Sequence, residues 1–412
     1  MKRCPWTVMI CLLVAVAASG CSAAVHPSGP ASPAPTAVPT MSGPSSASPD
    51  RIARPFALLR LPVDSQVVCT RDAVTWRVPL VQPAGSSLPV AAFWRFDVCT
   101  RQATRDDWLT ALLGRRRVDS WFLTGSRAAW LDTTGRLVRA DGQTVVAARL
   151  ETATAPSTVA RTLAGPSWGG LQEDADDSTQ LLAFDGRLCW LFDDGRRIDA
   201  NGSLSEPRHG GEWLVDVNGR RCRLGHDVGL LALTGATMYW AAGQLRATDF
   251  GSRTLQWGSL GARGLTRHAV HAPALVTAPA AADRSAVAFT AVPPDSTDLA
   301  DGRVWAYEPR ARRWWEAPAS PGQQVLGVGD GFVAYLDERH WTASQPRDDL
   351  WAADTTGRGR PVHLASPATE IEGSDVTMIG DEVFWTLPGD GCTLVYGARL
   401  VRHGGTVTAR PL

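Results

Sequence analysis

Short apolar runs bounded by turn residues recur along the chain, and many of them contain one aromatic residue. "FDGRLCWLFDDG" (Phe184–Gly195) is one copy, and similar runs return at Leu233–Gly243 and Met378–Gly391. Successive aromatic residues of the pattern lie 46 to 60 residues apart. They are Trp76, Trp130, Trp190, Trp240, Phe289, Tyr335 and Trp385. A period near 50 residues is typical of a repeat architecture.

A second apolar strand precedes most of these aromatic residues, and a turn rich in Gly or Asp with another short strand follows. Helical periodicity is nearly absent. The pattern therefore predicts an all-β fold, a single β-propeller of about seven four-stranded blades, with six as the alternative count. The repeated aromatic should lie on an inner strand and pack between blades, and the alternative is a ligand box. "FALLRL" near Phe56 is expected to complete the last blade.

Two segments resemble known propeller families. "LWAADTTG" (Leu350–Gly357) looks like the strand-to-turn segment of TolB-like blades. "ATDFGSRTLQW" (Ala247–Trp257) is similar to the docking repeat of PQQ-repeat-like propellers, but Arg253 replaces its glycine, so PQQ binding is not implied. The resemblance to these bacterial exported propellers implies a scaffold in the cell envelope, and no cofactor is expected.

The first twenty residues have the features of an export signal. Lys2 and Arg3 precede an apolar run, Val8–Ala18, that is too short to span a bilayer. Small residues then precede Cys21, as in a bacterial lipobox. Residues 1–20 are therefore predicted to be a lipoprotein signal peptide and Cys21 the lipidated residue, with an ordinary secretory signal as the alternative. The predicted location is the outer face of the cell membrane.

Residues 21–54 are predicted to be the lipidated cysteine and a disordered linker. Pro, Ser and Ala fill 20 of the 29 positions of Ser22–Asp50. Such a composition buries too little apolar surface to fold. A polyproline-like chain of this length reaches at most about 90 Å, so it would tether the propeller domain predicted at residues 55–412.

Five cysteines follow Cys21 in a compartment that is predicted to be oxidising. Cys69 with Cys99 and Cys189 with Cys222 are the disulfide candidates, because each pair lies within about one repeat. Each bridge would stabilise the fold by about 3–4 kcal/mol. Cys392 is then left over, either as a free buried thiol or as half of an intermolecular bridge.

Two segments depart from the repeat. "RDDWLTALLGRRR" (Arg105–Arg117) predicts a short helix that packs on the propeller or, as the alternative, docks a partner. Its apolar face contains Trp108, Leu109, Leu112 and Leu113. The loop Glu151–Gln180 contains the acidic run Glu173–Asp177, which is expected to be a solvated loop because it lacks the spacing of a calcium loop.

No motif for catalysis, for a metal or for a cofactor stands out. Gly165–Gly169 matches G-x-S-x-G, but no strand and helix flank the serine as a nucleophile elbow requires, so the match is interpreted as chance. His268 and His271 lack a third ligand. The acidic pairs Asp193-Asp194 and Asp348-Asp349 fall at predicted turns, where Asp is favoured for backbone reasons.

The charges limit the class of partner. The chain has 41 basic and 41 acidic residues, and this balance does not indicate a nucleic-acid partner. Lys2 is the only lysine, so the mature chain would contain none to form a Schiff base.

Two functions are compatible with this pattern. The first is a non-catalytic envelope lipoprotein, a monomer whose propeller binds an envelope protein or a cell-wall ligand. The alternative is a secreted propeller enzyme, a hydrolase or lyase with an active site facing the channel. Converging carboxylates or histidines would favour the enzyme, and an apolar or Arg-rich face would favour binding.

Overall fold

A computed structural model describes most of the chain after residue 52. The described residues are 53–63, 65–70, 73–80, 90–138, 144–170, 179–193, 203, 211–225, 229–241, 252–293, 296, 301–318, 322–337, 348–357, 359–366 and 376–412. The predicted signal peptide, Cys21, the linker up to residue 52 and the acidic run 173–177 lie outside them. Within these ranges, no helix has both the length and the apolar character needed to cross a bilayer.

Antiparallel strands form six sheets, here numbered I to VI in chain order. A 3-10 turn (Arg54–Phe56) precedes the first strand, β1 (Ala57–Pro62), which belongs to sheet VI. Sheet I contains β2 (Gln66–Thr70), β3 (Ala73–Pro79), β4 (Ala91–Asp97) and β5 (Gln102–Arg105). Sheet II contains β6 (Val118–Thr124), β7 (Arg127–Val138), β8 (Thr144–Thr154) and β9 (Arg161–Gly170). Sheet III contains β10 (Thr179–Asp185), β11 (Leu188–Asp193), β12 (Gly211–Asp216) and β13 (Arg221–Gly225).

The second half of the chain continues the same meander. Sheet IV contains β14 (Gly229–Thr234), β15 (Thr237–Ala241), β16 (Ser252–Gly261), β17 (Gly264–Leu265), β18 (His268–Ala282), β19 (Val287–Val292), β20 (Arg303–Glu308) and β21 (Arg313–Glu316). Sheet V contains β22 (Gln323–Gly329), β23 (Phe332–Asp337), β24 (Asp349–Asp354) and β25 (Val362–Ala365). Sheet VI contains β26 (Val376–Ile379), β27 (Glu382–Gly389), β28 (Cys392–His403) and β29 (Thr406–Pro411), together with β1.

The core lies between successive sheets. Leu131 of sheet II packs in one cluster with Leu191 of sheet III, and Trp190 of sheet III packs with Trp240 of sheet IV. Val395 of sheet VI packs in another cluster with residues of sheet I, which closes the series. This is the propeller arrangement that the sequence predicts. The blade count of seven stays a prediction, because β18 pairs with both β16 and β19 and so joins eight strands into one sheet.

The ring closes through strands from the two ends of the described chain. β1 pairs with the first half of β28, with Leu59 opposite Val395 and Pro62 opposite Cys392. β29 pairs with the second half of β28. This pairing confirms the expected role of the segment near Phe56.

The repeated aromatic residues are all nearly or fully buried, which confirms that they pack in the core. They lie on β3, β7, β11, β15, β19, β23 and β27. Each of these is the second strand of its four-strand set, not the innermost strand. A second strand has neighbours on both edges and sheets on both faces, so it offers the most enclosed place for a large ring.

The predicted helix is present as α1 (Asp107–Leu113). The side chain of Asp106 accepts a hydrogen bond from the Leu109 N–H and caps the first turn, and Gly114 follows the last turn. A Cβ at Gly114 would lie 2.6 Å from the Ala91 carbonyl oxygen, so the close approach of the helix to β4 requires glycine. The buried leucines of α1 pack with Trp121 and Trp130 of sheet II, so the helix is a packing element and not a free docking surface.

The disulfide predictions are wrong, because all four candidate cysteines are free thiols. Cys189 is opposite Val215 and Cys222 is opposite Leu214, so the two side chains lie on opposite faces of sheet III. The two cysteines are also two strands apart, which separates their backbones by about 10 Å, too far for a disulfide.

The pair of Cys69 and Cys99 fails for a similar reason. Cys69 on β2 is separated by β3 from Phe96 on β4, and the exposed Cys99 lies in the turn beyond. Cys392 is buried, and whether it is a free thiol or half of an intermolecular bridge stays a prediction.

Candidate functional site

A carboxylate, an imidazole and a hydroxyl meet at one end of sheet V. Asp349 begins β24, His363 lies on β25, and Ser366 follows the end of β25. The hairpin places Trp351 opposite His363 and Leu350 opposite Ala365, which brings all three polar groups to the same end of the strands. Asp349, His363, Ser366 and Trp351 are called the Asp349 cluster below.

Asp349 is the centre of this cluster. Its side chain is 8% exposed, its Oδ1 lies 3.3 Å from His363 Nε2, and Ser366 Oγ donates a hydrogen bond to the same oxygen. The His363 side chain is 26% exposed, and its ring stacks on the Trp351 ring with centroids 4.5 Å apart. The carboxylate is therefore shielded from solvent, while the imidazole remains accessible.

The contacts of His363 favour one tautomer of its neutral imidazole. Nε2 lies 2.9 Å from the Ala365 carbonyl oxygen as well as near Asp349, and both neighbours are acceptors. In the neutral imidazole, a proton on Nε2 serves both acceptors, and Nδ1 then presents a lone pair. A carboxylate that orients one imidazole nitrogen while the other accepts a proton is the arrangement of a general base. Ser366 does not supply the nucleophile of a triad here, since its hydroxyl is held by the carboxylate.

Further polar groups are buried beside the cluster. Asp337 at the end of β23 is opposite Asp349, and Gln323 at the start of β22 is opposite Asp337. Asp337, Asp348 and Gln323 are each at most 2% exposed. Gln323 is satisfied by the Val304 N–H and the Pro318 carbonyl. Across the described ranges, no group of three or more His, Cys, Asp and Glu side chains is arranged to hold a metal ion.

A second buried polar cluster lies at the same end of sheet II. Arg116 Nη1 donates to Asp132 Oδ2 at 2.6 Å and to Glu151 Oε2 at 2.9 Å, while its Nε donates to the Leu112 carbonyl. Burial raises the pKa of Glu151, and the charge of Arg116 only partly offsets this increase. Because every contact ties the end of α1 to sheet II, we interpret this cluster as structural.

The structure does not bring the residues singled out in the sequence into a site. His268 and His271 lie on β18, where an odd spacing directs side chains to opposite faces, and His268 stacks on Trp257. Gly165–Gly169 lies within the outer strand β9, which confirms that the G-x-S-x-G match is chance. Leu350–Gly357 forms a strand and a turn as expected, whereas Ala247 lies outside the described residues.

The sequence reasoning missed the Asp349 cluster. The sequence predicts a turn at Asp348 and Asp349, but Asp349 lies in β24 and both are buried. His363 is not singled out in the sequence analysis. The available signal was the hairpin itself, since pairing the strand of Trp351 with the next apolar run places His363 across from it.

Comparison with known proteins supports the fold. No family model matches the chain, and no curated protein matches its sequence. Among solved structures, Pyrococcus horikoshii acylaminoacyl peptidase aligns with a TM-score of 0.50 at 8% identity, over 85% of this chain and 52% of that one. A Mycobacterium tuberculosis puromycin-hydrolyzing peptidase aligns with a TM-score of 0.45 at 13% identity, over 90% and 55%. The chain thus spans about half the length of these peptidases.

A third match is to the β-propeller domain of the Trilobed protease from Pyrococcus furiosus, with a TM-score of 0.39 at 10% identity, over 75% of this chain and 96% of that domain. At such identities the likeness shows the fold and no more. The main expectation from the sequence, a non-catalytic scaffold, is nevertheless wrong, because the matched structures are mainly acylaminoacyl and prolyl peptidases.

Proposed function

We propose that this propeller belongs to an exported hydrolase that acts on peptides, with His363 as general base and Asp349 as the residue that positions it. The observation that carries the proposal is the contact of His363 Nε2 with the buried Asp349 carboxylate, while Nδ1 makes no hydrogen bond within the part of the chain that the structure describes. The shared fold with acylaminoacyl peptidase supports peptides as the substrate class. In this role Trp351 restricts the imidazole by stacking, and Ser366 holds the carboxylate in place.

The proposal is tested by peptide hydrolysis. The mature chain with Cys21→Ser is assayed with quenched fluorogenic peptides and with acylaminoacyl and prolyl anilides. His363→Ala is expected to lower kcat/KM at least about 100-fold, because general-base catalysis contributes about 10²–10⁴. Asp349→Asn should lower kcat while leaving KM nearly unchanged, since Asp349 acts through His363.

His271→Ala is the matched control, because His271 is an exposed histidine on β18. It should retain full activity, and circular dichroism melting should show that all variants fold. Absence of hydrolysis with every peptide class would refute the function. Hydrolysis that survives His363→Ala would instead refute the assignment of the site.

We also propose that the chain is exported and anchored through a lipid on Cys21. The basic start, the short apolar run and the small residues before Cys21 support this placement. In a bacterial host fed radioactive palmitate, the wild-type protein should carry label and sediment with membranes. Cys21→Ser should lose the label and appear in the soluble fraction, while Cys4→Ser should behave as wild type. Label that persists in Cys21→Ser would exclude the anchor.

A further inference from the structure

Five arginines gather at one end of sheets II and III. They lie in the turns β6–β7, β8–β9, β10–β11 and β12–β13 or in the strand residues next to these turns. All four turns lie at the same end of their sheets. The residues are Arg127, Arg161, Arg187, Arg220 and Arg221, called the basic patch below. All of them except the half-buried Arg127 are exposed.

Hydrogen bonds across the seam between the two sheets hold the patch together. Arg161 Nη2 donates to the Asn218 carbonyl at 3.1 Å, and Arg221 Nη2 donates to the Leu163 carbonyl at 3.2 Å, so the two side chains cross. Arg127 Nη1 donates to the Gly186 carbonyl at 3.0 Å. The Arg187 carbonyl accepts from the Val217 N–H, which places Arg187 beside the turn that precedes Arg220.

These contacts fix the guanidinium groups without neutralising them. The acceptors for Arg127, Arg161 and Arg221 are uncharged oxygens, whereas buried Asp216 neutralises Arg220. By contrast, Arg313 pairs with the Glu308 carboxylate and Arg402 with the Asp354 carboxylate. The basic patch therefore carries an excess of positive charge that is already oriented toward solvent.

An exposed aliphatic residue lies within the patch. Val159, in the turn between β8 and β9, is 79% exposed and lies two residues before Arg161. Its turn is fixed, because Trp108 Nε1 donates to the Ser157 carbonyl at 2.8 Å and the Val159 N–H donates to Ser157 Oγ. A fixed apolar side chain next to an arginine of the basic patch matches the interface of a bilayer, where phosphates meet acyl chains.

We propose that the basic patch and Val159 dock the propeller onto an anionic phospholipid surface. The arginines contact headgroup phosphates, and Val159 enters the boundary between headgroups and acyl chains. An acidic polypeptide would use the arginines but would gain little from a protruding valine, so the bilayer is the better match. The Asp349 cluster lies at the opposite end of the strands, so docking would turn the candidate site away from the membrane.

The test uses the mature chain with Cys21→Ser, which carries no lipid, and sedimentation with vesicles. Vesicles with about a third phosphatidylglycerol should bind the protein, vesicles of phosphatidylcholine alone should not, and added salt should weaken binding. The triple variant Arg161→Gln, Arg187→Gln, Arg221→Gln should lower the partition coefficient about 100-fold. Each arginine near an anionic surface contributes about 1 kcal/mol to binding, and about 1.4 kcal/mol corresponds to a tenfold change. Val159→Asp should lower it several-fold, while Val63→Asp, at the other strongly exposed valine of the described residues, should not.

The control triple variant is Arg284→Gln, Arg310→Gln, Arg360→Gln, which removes three exposed turn arginines of sheets IV and V and changes net charge equally. It should lower partitioning much less, and both triple variants should keep the wild-type melting temperature. Equal losses in the two triple variants would overturn the patch as a specific surface. Binding to polyglutamate with no binding to phosphatidylglycerol vesicles would overturn the bilayer in favour of an acidic polypeptide.

Discussion

Replacement of Trp385 with alanine is expected to lower the free energy of unfolding by about 4 kcal/mol, as for other buried aromatic residues. Trp385 is fully buried on β27, stacks on Tyr396 with ring centroids 5.5 Å apart and meets Phe56 edge-on at 5.7 Å. Because Phe56 leads directly into β1, the loss affects the closure of the ring as well as sheet VI. Denaturant unfolding followed by tryptophan fluorescence and circular dichroism measures the change.

Two controls make this expectation specific. Trp385→Phe should cost much less than Trp385→Ala, because phenylalanine keeps a ring and the buried indole N–H has no acceptor among the described residues. Trp305→Ala removes a half-buried tryptophan from β20 and should cost about 1–2 kcal/mol. A loss at Trp305 as large as that at Trp385 would show that the repeated position has no special role.

Replacement of Arg402 with methionine should lower the free energy of unfolding by about 2 kcal/mol at neutral pH. Arg402 on β28 donates to Asp354 of sheet V and to the Gly331 carbonyl, and its guanidinium lies 4.1 Å above the Phe332 ring. Removing one partner leaves a buried carboxylate, which costs about 3–5 kcal/mol in a fully buried pair. The expected loss is smaller because the Arg402 side chain is 46% exposed.

The dependence on pH separates charge from packing. Burial raises the pKa of Asp354, but hydrogen bonds from Arg402 and Thr356 outweigh burial and hold the pKa below its ordinary value. A carboxyl group whose pKa is depressed in the folded state stabilises the fold at pH values above its unfolded pKa of about 3.9. This stabilisation is lost as the pH falls through the lower pKa of the folded state. The difference in free energy of unfolding between wild type and Arg402→Met should therefore shrink below about pH 4.

Arg410→Met is the control, at an exposed arginine on β29, and should change the free energy of unfolding by less than about 0.5 kcal/mol. A difference that stays constant from pH 7 to pH 3 would assign the effect to packing on Phe332.

The sequence predicts the propeller well because the repeat is local. Each aromatic residue such as Trp130 or Trp190 stands in a short apolar run with its own turn, so strand and burial follow from neighbours in the chain. The same local signals identify α1, since Asp106 and Gly114 mark its ends.

The predictions that failed depend on strand register and on which face of a sheet a side chain occupies. Cys189 and Cys222 are close in sequence, but pairing places them on opposite faces of sheet III, which spacing alone does not reveal. Asp349 and His363 meet only because two strands pair with Trp351 opposite His363. The basic patch likewise arises where turns from two sheets come together, through contacts such as that of Arg161 with the Asn218 carbonyl.

The pairing of β1 with β28 sets the order in which the chain can mature. Arg60 on β1 donates to the Asp390 carbonyl, a contact that spans 330 residues. During synthesis, the hydrogen-bonding edge of β1 stays open until β28 has been made, and such open edges can pair with wrong partners. A truncated or stalled product that lacks β28 would leave the ring open, so a break late in the chain exposes the beginning of the domain. Quality control could therefore recognise an incomplete molecule by the accessibility of its first strand.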